Sequence, residues 1–191
     1  MAPLKKKGII DAIPLFTMGL VLSSCVGSVF PDIRDALIYD REAIFHGEAW
    51  RLLTGHLVHL SAGHLFYDMV FLGIVGWIIE AGRYAYYRRL CIFSALIIGL
   101  ALLLFEPDMY FYGGMSGIAC AIILYLGMMG LHESGPARVI YLGAVVVTLL
   151  KIGFEWFTGK PIFASEGLVP FRLVPLAHVM GAFTALGAYL W

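Results

Sequence analysis

Six apolar runs follow one another along the chain, at residues 9–30, 61–81, 86–105, 115–131, 138–157 and 175–191. A helix rises about 1.5 Å per residue and the hydrocarbon core of a bilayer is about 30 Å thick, so roughly 17–25 apolar residues cross it. Runs of that length cannot all be buried in a soluble core of 191 residues, of which 61% are hydrophobic and 14% charged. Inside lipid every backbone N–H and C=O needs a partner within the protein, and continuous rather than alternating apolar runs meet that need as helices. The chain is therefore expected to be an all-α membrane protein, a single six-helix transmembrane domain over residues 1–191.

The connections are punctuated by Pro107, Pro136 and the stretch 161–175. Residues 31–54 interleave charges with Leu37, Ile38, Ile44, Phe45 and Trp50, a spacing that suits a loop lying in the interface, with Trp50 at headgroup level and Arg51 snorkelling. Leu22-Ser23-Ser24-Cys25 resembles a lipoprotein cleavage box, but a basic start followed by an apolar run is equally the layout of a first span, and the run is read as a helix. Lys5, Lys6, Lys7, Arg83, Arg88, Arg89 and Arg138 fall on one side of the membrane, opposite Arg34, Arg41, Arg51, Lys160 and Arg172. The basic excess places both termini in the cytoplasm and the start of the fourth helix toward the outer face. With 13 basic and 13 acidic residues the net charge is zero, so nucleic acid is not an expected partner. Cys25, Cys91 and Cys120 all sit within apolar runs, which argues against a disulfide framework or a cysteine metal site.

Ionisable and nucleophilic groups inside spans are costly and mark function. In Gly113-Gly114-Met115-Ser116-Gly117 a hydroxyl opens the fourth helix with little bulk around it, beside backbone N–H groups that have no partner within the helix and can receive an oxyanion. The second helix opens with His56, His59 and His64, and Asp68 follows His64 by one turn; the sixth carries His178. His59, His64, Ser116 and His178 share the outer half of the membrane. A lone imidazole can activate a serine across a close helix contact, and Gly117, Gly181 and Ala185 are small enough to permit one between helices four and six. His64 and the Ser116 N–H are the candidate oxyanion donors. His56 reads instead as an interface residue, Glu80 as an ion-pair partner of Arg83, and Lys151 with Glu155, four apart, as an internal pair near the outer interface rather than chemistry.

These residues together resemble the rhomboid family of intramembrane serine proteases. The similarity runs from Trp50-Arg51 through His59, His64-x-x-x-Asp68, Gly76 and Glu80 to Gly114-Met115-Ser116-Gly117 and Ala177-His178-x-x-Gly181. It implies a rhomboid-like six-helix bundle in which Ser116 is the nucleophile and His178 the base, supported on the oxyanion side by His64, Asp68, Gly114 and His59. It also implies single-pass membrane proteins as substrates, the bilayer as surroundings, and no metal or organic cofactor. A bacterial inner membrane is the expected location, with the site toward the outer face. The family usually has Asn at the position of Asp68 and Tyr at that of Cys120. A neutral Asp68 would donate much as Asn does and is the preferred reading; a charged Asp68 would instead accept from His64. The compact chain and the run from Tyr39-Asp40-Arg41 to Gly55-His56 look similar to the rhombosortase subgroup, which acts on proteins ending in Gly-Gly, an apolar helix and a basic tail. The alternatives are a catalytically inactive rhomboid-like protein that holds client helices and a haem or metal protein ligated by His59, His64 and His178. Oligomeric state is left open.

Overall fold

The computed structural model describes residues 13–162 and 174–191. The element order is α1 (Leu15–Val29), α2 (Pro31–Leu37), β1 (Tyr39–Asp40), α3 (Arg41–Phe45), α4 (Arg51–Thr54), a 3-10 turn (Gly55–Leu57), α5 (Ala62–Ala81), α6 (Tyr87–Phe105), β2 (Phe111–Tyr112), α7 (Ser116–Gly130), α8 (Pro136–Thr158) and α9 (Pro175–Leu190). The helices reproduce the apolar runs, but their lengths differ in a way that reports their surroundings. α5, α6 and α8 are long and apolar enough to cross a membrane, and α1 with α2 would make a fourth span if the pair, bent by 110°, is counted as one. α7 and α9 are apolar but have only 15 and 16 residues.

The reason lies in the packing. α7 is ringed by α5, α6, α8 and α9, and its buried residues, from Gly117 through Tyr125 to Gly130, lie all round the helix. A helix shielded by protein need not match the full thickness of the lipid. α8 is the opposite case: only Thr148, Ile152 and Glu155 are buried along its 23 residues, a strip at i, i+4 and i+7, with Tyr141 and Val145 partly buried against the core and much of the remaining apolar surface outward.

Residues 31–54 carry more order than their composition suggests. Phe30-Pro31 turns the chain, and proline at the first position of α2 is pre-set for a helix start. Asp40 caps α3 by accepting from the Ala43 N–H at 3.1 Å. β1 and β2 pair antiparallel, Tyr39 opposite Tyr112 and Asp40 opposite Phe111, which ties this loop to the strand just ahead of Gly113-Gly114. Arg51 does not snorkel. It is buried, donating to the Glu48 carboxylate at 2.6 Å and to the carbonyls of Asp35 and Ile38 at 2.8 and 2.9 Å, because the loop's folded backbone offers carbonyls that need a donor. Glu80 likewise departs from the expected pair with Arg83. Its carboxylate accepts from the N–H groups of Phe16 and Thr17 at 2.9 and 2.8 Å, capping the otherwise unpaired start of α1, with Arg88 3.7 Å away.

Candidate active site

Ser116 is the first residue of α7, and the chain reaches it through an unusual backbone. Gly114 has φ +137°, a conformation that L side chains rarely adopt, and a Cβ there would lie 2.6 Å from the His64 ring. Glycine is therefore required both by the turn and by the imidazole resting on it. The first intrahelical bond of α7 is donated by Ala119 to the Met115 carbonyl at 2.8 Å, so the N–H groups of Ser116, Gly117 and Ile118 precede the helical ladder.

His178 lies in the first turn of α9, 4% exposed, with Nε2 2.9 Å from the Ser116 hydroxyl. Two glycine contacts bring the helices this close. A Cβ at Gly117 would lie 2.8 Å from the Ala177 carbonyl oxygen, and one at Gly181 would overlap the Gly117 carbonyl outright. The other ring nitrogen of His178 faces Glu155: Nδ1 and Oε2 are 2.7 Å apart. Lys151 donates to the same oxygen at 2.7 Å and its Nζ stands 3.4 Å from Nδ1, while the Ile162 N–H reaches Oε1 at 3.4 Å. The ion pair anticipated between Lys151 and Glu155 is present, but it sits against His178 rather than apart from it.

On the other side of Ser116 the carboxylate of Asp68 faces one backbone N–H and two imidazoles. Its Oδ2 lies 3.0 Å from the Met115 N–H, 3.0 Å from His59 Nε2 and 3.3 Å from His64 Nε2. A backbone N–H can only donate, so Oδ2 accepts from Met115, and a donating Asp68 of the kind expected from the sequence would have to act through Oδ1. Ser61 sets this end of α5 by accepting the His64 N–H at 3.2 Å. His56 is not an interface residue: it is buried between the carbonyls of Ala95 and Gly114, at 3.0 and 3.2 Å. Gly114 O also accepts from Tyr112 at 3.2 Å, so His56 and Tyr112 together hold the backbone ahead of Ser116.

A family profile for the Rhomboid domain matches residues 46–191. The chain belongs to the rhomboid family. Curated relatives include rhomboid proteases GlpG of Salmonella paratyphi A (strain ATCC 9150 / SARB42), Salmonella newport (strain SL254) and Salmonella typhi. Each is 27% identical over 156 residues, which covers 78% of this chain and 51% of the relative. The chain thus spans about half the length of the curated relatives it matches. As a rhomboid with apolar helices of spanning length it is an integral membrane protein.

The matched region of this rhomboid contains every residue described around Ser116. The three histidines of the haem or metal alternative divide between two groups. His178 has both ring nitrogens engaged, by Ser116 and Glu155. The ligand-capable atoms of His59, His64 and Asp68 lie within 4.8 Å of one another, at separations that their hydrogen bonds already account for. Glu155 is the residue whose contact the sequence reading missed. The signal was present, since a carboxylate within a span is a functional candidate by default, but a lysine four residues earlier offered a sufficient partner. Cys120, one turn beyond Ser116, is buried. The stretch 161–175, which punctuates the last connection, falls mostly outside the described residues.

Proposed function

We propose that this rhomboid is an intramembrane serine endopeptidase that cleaves a peptide bond in or beside the transmembrane segment of another protein. The observation that carries the reading is the 2.9 Å approach of His178 Nε2 to the Ser116 hydroxyl at the half-buried start of a buried helix. In this reading the Ser116 oxygen forms a bond to the scissile carbonyl carbon, the carbonyl π pair moves to oxygen, and the hydroxyl proton passes to Nε2. His64 and the Ser116 N–H are the donors for the oxyanion, with Asp68, His59 and Gly114 holding His64 and the turn in place. Collapse breaks the C–N bond as the Nε2 proton moves to the leaving amine. Water then hydrolyses the ester by the same proton route. Six spans, both termini in a bacterial cytoplasm and a site open to the outer half of the membrane complete the proposal, with single-pass proteins as substrates.

The test is labelling of purified protein with a fluorophosphonate probe, together with cleavage of a panel of single-pass substrates that includes one ending in Gly-Gly, an apolar helix and a basic tail. Labelling and cleavage that both vanish in Ser116→Ala support the protease, and selective cleavage of the Gly-Gly substrate supports the rhombosortase subgroup. A wild-type protein that neither labels nor cleaves would favour an inactive protein that holds client helices.

A further inference from the structure

We propose that Glu155 completes a Ser116–His178–Glu155 triad as a positioning residue, fixing which nitrogen of His178 carries the proton, and that Lys151 keeps its carboxylate charged. This rests on the serine-protease reading above. Glu155 meets His178 Nδ1 at 2.7 Å on the ring edge opposite Ser116, which meets Nε2 at 2.9 Å. A carboxylate at that distance can only accept, so Nδ1 bears the hydrogen and Nε2 turns a lone pair toward the hydroxyl, the arrangement a base requires. A bare lone pair on Nδ1 would face the carboxylate oxygen and repel it.

The setting argues against a merely packed side chain. α8 buries only Thr148, Ile152 and Glu155, and Glu155 is 2% exposed. Burying a charge is costly, so a carboxylate at this position is retained where it acts. Lys151 offsets that cost through the same oxygen at 2.7 Å. The Ile162 N–H at 3.4 Å from Oε1 restrains the other arm. During attack the Ser116 proton moves to Nε2, the Nδ1 hydrogen stays on nitrogen, and the imidazolium so formed is opposed by Glu155, which is never protonated. The same Nε2 proton later leaves with the amine.

Glu155→Gln keeps shape but removes the charge. Lys151, a pure donor, would claim the amide oxygen and turn the NH2 toward Nδ1, which selects the wrong tautomer. Turnover of a transmembrane substrate in micelles should fall about 10²–10⁴-fold in kcat with KM and melting temperature little changed. Adding Lys151→Met should recover part of that loss, because the amide oxygen is then free to accept from Nδ1. Ser116→Ala is measured in parallel. A dead Ser116→Ala with Glu155→Gln within about threefold of wild type overturns the triad alone, whereas an active Ser116→Ala overturns the protease reading itself. Should Glu155→Gln not fold, the 15N resonances of His178 in the wild type decide: a resting Nδ1–H tautomer supports the triad and an Nε2–H tautomer overturns it.

Discussion

Gly181 is the residue at which packing and the proposed chemistry are most directly joined. A Cβ there would penetrate the Gly117 carbonyl oxygen of α7 and stand 3.4 Å from the Ala121 nitrogen. The obstacle is backbone on both sides, so no rotamer relieves it and the helices must part by about 1 Å to restore ordinary contact. His178 lies one turn before Gly181 and Ser116 one residue before Gly117, so the separation falls almost entirely on the 2.9 Å hydrogen bond. Misplacing reacting groups by about 1 Å costs about 10²-fold in rate, and overpacking costs about 1–3 kcal/mol of stability. Gly181→Ala should accordingly lower kcat about a hundredfold and reduce the melting temperature, and Gly181→Leu should do more of both. At Gly187, on the same helix, a Cβ would meet no neighbouring atom within 4 Å, so Gly187→Ala is the matched control and should behave as wild type. Steady-state cleavage in micelles with melting curves makes the comparison. Gly181→Ala with wild-type kcat would refute the claim that this contact sets the distance between Ser116 and His178.

Other substitutions probe the remaining parts. Ser116→Ala and His178→Ala should each abolish cleavage while the protein still folds, as judged by circular dichroism and cleavage assays, because a nucleophile and its base act as one unit. Asp68→Leu removes the acceptor shared by the Met115 N–H, His59 and His64 and should cost about 10²–10³-fold in rate; Asp68→Asn retains an oxygen for Met115 and should lose clearly less, so equal rates for the two variants would contradict the accepting role. Arg51→Met leaves the Asp35 and Ile38 carbonyls without their charged donor and should destabilise by about 2–4 kcal/mol in chemical denaturation, with the activity of the folded fraction retained.

Much of this is legible in the sequence because lipid imposes so strict a rule on backbone polarity. The runs at 61–81, 86–105 and 175–191 match α5, α6 and α9 to within a residue at each end. The bend after Val29 and the pairing of two-residue strands are not, since a strand that short is defined by its partner and not by its own pattern. Arg51 and Glu80 mislead for a related reason. An arginine near an interface and a glutamate near a basic loop both have ready neighbours in sequence, yet Arg51 serves carbonyls 13 and 16 residues away and Glu80 serves N–H groups more than 60 residues away. Ser116, His178, His64 and Asp68 stand out because polar groups in spans are rare. Glu155 does not, because Lys151 explains it locally, and only the packing of α8 on α9 reveals its second contact.

The 62 residues that separate Ser116 from His178 also set an order of events during synthesis. At roughly 5–20 residues per second, the imidazole is made about 3–12 seconds after the hydroxyl. On the proposed chemistry, the serine would have no base until α9 has been translated, inserted and docked against Gly117, and the half-built protein would be inert toward other nascent helices. The proposed activity would then be timed by translation itself.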